Sequence, residues 1–353
     1  MTLNDRIIAF SELGNFLSQF NEDSTSQKTD VLHNEQFFDT FLSLCERAQH
    51  KNGWFLPEQV YFATTQWAKA LTKSNLTNWT DSYNFSNNNE PKTVGIIMAG
   101  NIPLVGFHDL LCILISGHKV LIKPSSNDTK LITTICDYLI RVLPEFKNFI
   151  QFTEGKLENH DAIIATGSNN TARYFEYYFK NKPHIIRKNR NSVAVLTGNE
   201  TKNELIALGE DIFRYYGLGC RSVSKLFVPK NYDFDLFFNA MFTYQDLIKQ
   251  EKYTNNYDYN KAVYLMSQFN LLDNGFLILK EDQSYSSPIS SLFYEFYEHY
   301  DALNSKFNSD EEHLQCIVNY PESTKNVDFG ATQTPQLSDY ADGIDTIDFL
   351  LKI

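Results

Sequence analysis

The N-terminal part of the chain carries apolar side chains at intervals of three and four positions, which is the spacing of one helix face. Each such stripe is typical of a helix that packs one face on a core. The stripes consist of Ile7, Ile8, Leu13, Phe16 and Leu17, of Phe37, Phe38, Phe41, Leu42 and Leu44, and of Val60, Tyr61, Ala63, Thr64 and Trp67. A polar run over residues 84–91 then predicts a loop. We therefore predict a helical N-terminal region over residues 1–92 that packs on the domain that follows.

From residue 93 onward, short apolar runs alternate with stretches of helical spacing. The runs predict buried strands at residues 94–98, 120–122, 149–153, 162–165 and 193–196. This alternation indicates an α/β fold with a doubly wound parallel sheet that has helices on both faces. We assign this domain to residues 93–198 and expect its ligands at the carboxyl ends of the strands.

Three polar positions follow predicted strands and are therefore candidates for ligand binding. Asn101 follows the first strand, Lys123 the second, and Thr166-Gly167-Ser168 opens a helix after the fourth. A helix N-terminus offers free N–H groups to a phosphate, but Thr-Gly-Ser is equally a good helix cap. In the same way, Asn101 fits a helix-capping asparagine and Lys123 a solvated lysine at a strand end. No GxGxxG motif is present, so the ordinary dinucleotide fingerprint is missing.

A second candidate site lies in the stretch Tyr216-Gly217-Leu218-Gly219-Cys220-Arg221-Ser222. We predict a helix over residues 201–216 that opens with a capping box of Thr201 and Glu204, with Gly217 at its C-cap. A strand at residues 225–228 follows the turn. A cysteine on a glycine-flanked turn can be presented to a ligand, and a neighbouring arginine favours the reactive thiolate. The alternative is a packed core cysteine, with Arg221 paired to a nearby carboxylate.

Composition narrows the classes of function. The 353 residues carry a net charge of -12, which argues against nucleic acid or an anionic membrane surface as a general partner. No apolar run is long enough to span a membrane, and the start lacks the plan of a signal peptide. Five cysteines without a CxxC pair favour free thiols in a reducing cytoplasm, and the histidines form no metal-binding pattern. We expect a cytoplasmic protein without a metal site.

In combination, four motifs resemble the aldehyde dehydrogenase superfamily, most closely its LuxC-type acyl-CoA reductases. Gly100-Asn101-Ile102-Pro103-Leu104 is similar to the superfamily's Asn-Phe-Pro-Leu turn, and Lys123-Pro124-Ser125 to its Lys-Pro cofactor motif. Thr166-Gly167-Ser168 resembles its Gly-Ser-Thr segment, and Gly219-Cys220 stands where its nucleophile follows. The stretch 216–222 and the tail Asp339-Tyr340-Ala341-Asp342-Gly343 match the acyl-CoA reductase branch. The resemblance runs from about residue 93 to the C-terminus.

The chain departs from the superfamily at three places. No acid stands in Ile186-Arg187-Lys188-Asn189-Arg190-Asn191, where the superfamily's general-base glutamate would fall. That glutamate activates water to hydrolyse an acyl-enzyme, a step that an acyl reductase does not need. The glutamate that contacts the nicotinamide ribose has no counterpart before Ser287-Pro288. The region after Cys220 is shorter than is usual.

The resemblance implies an aldehyde-dehydrogenase-like fold with a second, shortened α/β catalytic domain, which we place at residues 199–330, before a tail at 331–353. It implies NAD(P)H-dependent reduction of an acyl-CoA to its aldehyde through a thioester on Cys220. Asn101 and the Cys220 N–H would hold the oxyanion, while Lys123, Ser125 and the segment Thr166, Gly167 and Ser168 would bind the cofactor. NADPH is preferred over NADH, because no acid in residues 123–126 would repel a 2′-phosphate.

Two other readings of the same residues stay open. The chain could be an acyl-binding or acyl-transfer subunit that uses Cys220 without hydride transfer, alone or with a partner acyl-transfer protein. It could also be a transferase or thioesterase that has no use for a nicotinamide. The residues fix neither the acyl chain length nor the oligomeric state, so a homo-oligomer is one open possibility.

Overall fold

The structure is a computed structural model that describes residues 1–85 and 90–353. Half of the predicted loop over 84–91 falls on residues 86–89, which lie outside the described residues. By internal contacts the chain forms two compact units. The first comprises Met1–Lys188 together with Gln336–Ile353, and the second comprises Asn189–Pro335.

Four helices form the N-terminal region of the first unit. They are α1 (Leu3–Leu17), α2 (Asn34–Lys51), α3 (Pro57–Ala70) and α4 (Lys73–Thr80). Helix α1 begins with a capping box of Thr2 and Asp5, and α3 has a proline in its first turn. The predicted stripes are mostly buried, with Phe16 and Phe41 fully so, whereas Ile8 is exposed. Helices α1, α2 and α3 coincide with the three stripes that the sequence predicts.

The first unit contains a five-stranded sheet in which every pair of neighbours is parallel. The strands are β1 (Thr93–Ile97), β2 (Lys119–Lys123), β3 (Ile150–Phe152), β4 (Ala162–Thr166) and β5 (His184–Arg187), in the order β3-β2-β1-β4-β5. Helices α5 (Phe107–Ile115), α6 (Thr129–Val142) and α7 (Asn169–Phe179) lie between them along the chain. Parallel strands need such crossovers, and the sheet is buried where helices cover it. The predicted doubly wound α/β fold is confirmed.

The second unit is built on a seven-stranded sheet in the order β12-β11-β6-β7-β10-β9-β8. Its strands are β6 (Asn191–Val195), β7 (Val223–Pro229), β8 (Leu271–Asp273), β9 (Ile278–Glu281), β10 (Ser291–Tyr297), β11 (Leu314–Val318) and β12 (Asn326–Val327). All neighbours are parallel except β8 and β9. Its helices are α8 (Lys202–Phe213), α9 (Phe234–Met241), α10 (Glu251–Met266) and α11 (Ala302–Ser309).

The division into units differs from the domain boundaries that the sequence predicts at residues 198 and 330. Strand β6 pairs with β7 and β11, so the apolar run at 193–196 lies in the second sheet and not in the first. After Pro335 the chain returns to the first unit, where α12 (Thr346–Leu351) buries Ile347 and Leu350 in the core that also contains α5. The tail from Gln336 onward is therefore an integral part of the first unit, whereas residues 331–335 belong to the second.

Candidate active site

The carboxyl edge of the five-stranded sheet brings three of the predicted site segments together. Strand β1 pairs with β2 on one side and β4 on the other, so that Ile97 lies opposite both Lys123 and Ala165. Parallel strands end at the same edge of a sheet. Three predicted site segments therefore lie at this edge. They are the loop with Asn101, the side chain of Lys123 and the segment Thr166-Gly167-Ser168.

The loop with Asn101 packs closely on the loop that follows β2. A Cβ atom at Gly100 would lie 2.2 Å from Ser125 Oγ and 2.6 Å from Ser125 Cβ, so this close approach requires glycine. Leu104 has a left-handed backbone with φ 57°, and its N–H donates to Asp128 Oδ2 at 2.7 Å. Asn101 is exposed, and helix α5 has Gly106 as its N-cap. Asn101 is thus not the cap of the helix that follows it.

Asp128 is a buried carboxylate that was not among the site residues predicted from the sequence. Its Oδ2 accepts the Leu104 N–H, while Oδ1 is buried without a hydrogen-bond partner in the described chain. Burial raises the pKa of Asp128 to about 7, and the hydrogen bond from Leu104 opposes that shift. This side chain joins the Asn101 loop to the start of α6. Because it is buried, its ionised form costs free energy at neutral pH.

Lys123 and Ser125 border the same edge. Lys123 is the last residue of β2 and is half-buried, and within the described residues no carboxylate lies at ion-pair distance from its ammonium. Ser125 organises the turn after β2, because its Oγ accepts the Asn127 N–H at 3.2 Å and its carbonyl accepts the Thr129 hydroxyl at 2.8 Å. Contact of either residue with a ligand at this edge stays a prediction.

The segment Thr166-Gly167-Ser168 ends β4 and starts α7. Ser168 is the N-cap of α7, and its Oγ accepts the Thr171 N–H at 3.3 Å. The N–H of Gly167 donates to the Arg187 carbonyl at 3.2 Å in continuation of the β4–β5 ladder. The capping role of Ser168 is therefore real. A phosphate at this segment remains a prediction, and it would have to use N–H groups other than that of Gly167.

The segment where the superfamily's general base would fall is occupied by structural cations. Arg187 forms a buried, bidentate ion pair with Asp109, at 2.6 and 3.1 Å, and donates to the Ala341 carbonyl and the Thr346 hydroxyl. Burial would lower the pKa of Arg187, but the Asp109 carboxylate outweighs it and raises the pKa. Lys188 pairs at the surface with Glu176. This segment holds the C-terminal tail and offers no carboxylate base.

In the second unit, the helix before Cys220 ends earlier than predicted. Helix α8 stops at Phe213, and Tyr215, Tyr216 and Gly217 then have φ of 55°, 57° and 76°. The prediction of a helix through residue 216 with Gly217 at its C-cap is therefore wrong, because two tyrosines already take the left-handed conformation. Such backbone is strained for residues other than glycine and persists where packing enforces it. Here both tyrosine side chains are buried.

Cys220 is exposed, whereas Cys45, Cys112, Cys136 and Cys316 are buried. The backbone of its turn is held twice, since Ser192 Oγ donates to the Cys220 carbonyl at 3.0 Å and the Ser222 N–H donates to the Gly219 carbonyl at 3.0 Å. Burial raises the pKa of the thiols of Cys45, Cys112 and Cys136 far above the ordinary value. The four other cysteines are therefore packed in the core, whereas Cys220 is not.

Arg221 is anchored to a backbone carbonyl. Its Nε donates to the Thr332 carbonyl, and Thr332 is itself held by the buried carboxylate of Asp211 on α8. Neither Asp211 nor Ser192 was among the site residues predicted from the sequence. For Asp211 a signal was available, because it lies three positions after Leu208 on the apolar face of the predicted helix, where an acid is out of place.

Two further classes of site find no support in the described parts of the chain. No group of three or more His, Cys, Asp or Glu side chains there could hold a metal ion. None of the helices described is long and apolar enough to cross a membrane.

Comparison with known proteins gives a family match over part of the chain and a fold. The family model for acyl-CoA reductase (LuxC) matches residues 72–241. No match is found among curated proteins. Aldehyde dehydrogenase 21 from Physcomitrella patens, solved with the reaction product succinate, is similar with a TM-score of 0.69 at 10% identity, over 100% of this chain and 84% of that chain.

Two other solved structures support the same fold. An acetylating aldehyde dehydrogenase from Geobacillus thermoglucosidasius has a TM-score of 0.61 at 10% identity, over 96% of this chain and 86% of that chain. An indole-3-acetaldehyde dehydrogenase mutant from P. syringae, in complex with NAD+ and IAA, has a TM-score of 0.60 at 13% identity, over 86% of this chain and 69% of that chain. The predicted aldehyde-dehydrogenase-like fold is confirmed.

Proposed function

We propose that this chain, whose residues 72–241 match the family model for acyl-CoA reductase (LuxC), reduces an acyl-CoA to the aldehyde with NADPH through a thioester on Cys220. The observation that carries the proposal is the state of the five cysteines. Cys220 is exposed on a turn anchored at its own carbonyl and preceded by strained backbone, and the other four are buried. A nucleophile needs such access and a fixed position.

In the first half-reaction, the Cys220 thiolate attacks the thioester carbonyl. The bond from sulfur to the acyl carbon forms, the bond to the CoA sulfur breaks, and the CoA thiolate leaves with the electron pair. The acyl group is then held as a thioester on Cys220. NADPH, when bound, supplies the hydride that reduces this thioester. Uptake of one proton balances the release of the aldehyde and the return of the Cys220 thiol.

Two donors are proposed to stabilise the oxyanion that forms in the attack. They are the side-chain amide of Asn101 and the backbone N–H of Cys220. The exposure of Asn101 supports this role, as does the finding that Gly106 caps α5 in its place. In comparable sites, loss of one donor of this kind raises the activation free energy by about 3 kcal/mol.

The nicotinamide dinucleotide is proposed to bind at the carboxyl edge of the first sheet. Lys123 and Ser125 would bind the adenosine ribose side, and Thr166, Gly167 and Ser168 the phosphates. The preference for NADPH is supported by the position of the nearest acid along the loop. This acid is Asp128, which is buried and turned onto the Leu104 N–H. No carboxylate of residues 123–127 is therefore present to repel a 2′-phosphate.

Release of the acyl group as a free acid would need a base that activates water. Residues 186–191 contain no acid, and their Arg187 is committed to Asp109 and the tail. This arrangement supports reduction over hydrolysis.

The test is the loss of NADPH absorbance with purified protein and a panel of acyl-CoAs from acetyl to palmitoyl and phenylacetyl, with a parallel NADH series. We expect oxidation that requires both an acyl-CoA and Cys220, and that Cys220→Ala abolishes while cofactor binding stays intact. Lys123→Ala should weaken cofactor binding, whereas Lys119→Ala, an exposed lysine at the other end of β2, serves as the matched control. Oxidation that survives in Cys220→Ala would refute the mechanism.

The alternative functions give different signals in the same experiment. A radiolabelled acyl group trapped on Cys220 without NADPH oxidation would indicate an acyl-transfer or acyl-binding subunit. Release of free CoA without acyl-enzyme reduction, in a protein that binds no nicotinamide, would indicate a thioesterase.

A further inference from the structure

Helix α8 carries a buried carboxylate whose hydrogen-bond donors all lie on one distant segment. Asp211 is fully buried, and its two oxygens accept three hydrogen bonds from residues 330–332. The Gly330 N–H donates to Oδ2 at 2.7 Å, and the Thr332 N–H and hydroxyl donate to Oδ1 at 2.9 and 2.8 Å. We call residues 330–333 the clamp segment.

The Asp211 carboxylate is satisfied by dipoles and not by a cation. Within the described residues no Lys, Arg or His forms an ion pair with it, and the nearby charge that acts on it is the like charge of Glu210. Burial raises the pKa of Asp211 to about 6, and the hydrogen bonds from Gly330 and Thr332 oppose the shift. A buried charge without a counter-ion is costly. Its presence on an otherwise apolar helix face calls for a role.

The clamp segment in turn contacts both residues that follow Cys220. The Thr332 carbonyl accepts a hydrogen bond from Arg221 Nε, and Gln333 Nε2 donates to Ser222 Oγ at 3.4 Å. Gly330 has φ 80°, and a Cβ there would lie 3.1 Å from Ala207 Cβ, so the segment also packs directly on α8. A continuous path of contacts therefore leads from Asp211 through Thr332 to the residue next to the exposed thiol.

We propose that Asp211 is a positioning residue for Cys220. Its carboxylate fixes the clamp segment on α8, and the clamp segment fixes Arg221 and Ser222, so that the turn with the thiol is held in one place and its neighbour in the chain is a cation. Ser192 holds the same turn from the sheet side through the Cys220 carbonyl, so the turn has two independent supports. Only the role of Cys220 as nucleophile rests on the proposed function.

The experiment measures the reactivity of the thiol itself, which does not depend on any substrate. Cys220 alkylation by iodoacetamide is followed by peptide mass spectrometry across pH in the folded protein. In Asp211→Asn, one carboxylate oxygen becomes an NH2 group that faces an N–H donor. At least one hydrogen bond between α8 and the clamp segment is therefore lost. We expect the pH of half-maximal alkylation to move upward by about one unit, a change of about tenfold in rate at neutral pH.

Two further variants separate positioning from stability. Thr332→Val removes the hydroxyl donor but keeps the fold of the backbone, and it should shift the profile in the same direction by less, while Thr332→Ser should restore it. Glu281→Gln is the control, because it makes an acid-to-amide change at an exposed position of the same unit, at the end of β9. If Asp211→Asn does not fold, Thr332→Val and its rescue by Thr332→Ser decide the matter.

The outcomes are distinct from those of the proposed function. Alkylation profiles of Asp211→Asn and Thr332→Val that coincide with that of the unmodified protein would overturn the positioning role, whatever the enzymatic activity. A shifted profile in a protein that oxidises no NADPH would support the positioning role and count against the reductase.

Discussion

At the scale of single residues, exposure separates Cys220 from cysteines that are chemically identical. A thiol reacts as its thiolate, and burial in apolar surroundings disfavours that form. The pKa of Cys45, Cys112 and Cys136 is raised by burial, and Cys316 is 1% exposed. We therefore expect Cys220 to react so much faster than the four buried cysteines that a thiol reagent can count the accessible thiols.

We predict that the folded protein reacts rapidly with one equivalent of Ellman's reagent and that the other thiols react only after unfolding. Cys220→Ala should remove the rapid phase and leave the slow one unchanged. The measurement is the release of the coloured thiolate with and without denaturant. A rapid phase of two or more equivalents would show that other cysteines open in the native state.

A second prediction at this scale concerns Asp128, because burial raises its pKa to about 7 from an ordinary value of 3.8. A raised carboxyl pKa means that the proton is bound more tightly in the folded state. The contribution of Asp128 to stability is therefore present at low pH and is lost as the pH rises through about 7, by a few kcal/mol at most.

The check is urea unfolding of the unmodified protein and of Asp128→Asn at about pH 5 and about pH 8. Asparagine keeps an acceptor for the Leu104 N–H but does not titrate. We expect the variant to gain stability relative to the unmodified protein as the pH rises. A constant difference across this range would contradict a titrating, buried Asp128.

At the scale of elements, the two loops at the sheet edge act as one unit because Gly100 and Ser125 interlock. We predict that Gly100→Ala lowers stability by about 1–3 kcal/mol and weakens NADPH binding, since a Cβ would lie 2.2 Å from Ser125 Oγ and force the loops apart. Ser125→Gly removes both clashing atoms.

The double variant Gly100→Ala with Ser125→Gly should therefore recover most of the stability lost in the single variant. Thermal unfolding and cofactor titration of all four proteins form a double-mutant cycle. If the two changes are additive, the loops do not interlock through this contact.

The sequence predicts elements well where the physical signal is local. Strand and helix periodicity gives the parallel sheet, and parallel topology alone is enough to place Asn101, Lys123 and Thr166 at one edge. The predicted end of α8 fails, because side-chain propensity does not reveal that Tyr215 and Tyr216 adopt left-handed backbone. The run at 193–196 would be buried in either sheet, so its pattern cannot choose between them.

The hydrogen-bond partners of the buried acids could not be predicted from the sequence, for a different reason. Asp211 binds backbone N–H groups up to 121 residues away, and Asp128 binds the N–H of Leu104. A backbone N–H carries no side-chain signature, so a sequence motif cannot mark it. What the sequence does offer is the anomaly of an acid on an apolar face.

At the scale of the whole chain, the first unit is closed by residues from both ends of the sequence. Trp79 Nε1 donates to the Tyr340 hydroxyl at 2.8 Å, and the Tyr83 hydroxyl donates to Asp345. Arg187 links β5 to the same tail through Ala341 and Thr346, while its charge is balanced by Asp109 on α5. The tail motif thus has a structural use in the first unit.

We predict that Arg187→Met costs about 3–5 kcal/mol of unfolding free energy, because it leaves Asp109 buried without its cation and releases two contacts to the tail. Lys188→Met is the matched control, since its pair with Glu176 is exposed and worth about 0–1 kcal/mol. Chemical denaturation measures both. The double variant Arg187→Met with Asp109→Leu should recover part of the loss, because no unpaired charge remains, but not the part due to the tail contacts. Equal stability of Arg187→Met and Lys188→Met would mean that Arg187 does not hold the tail in place.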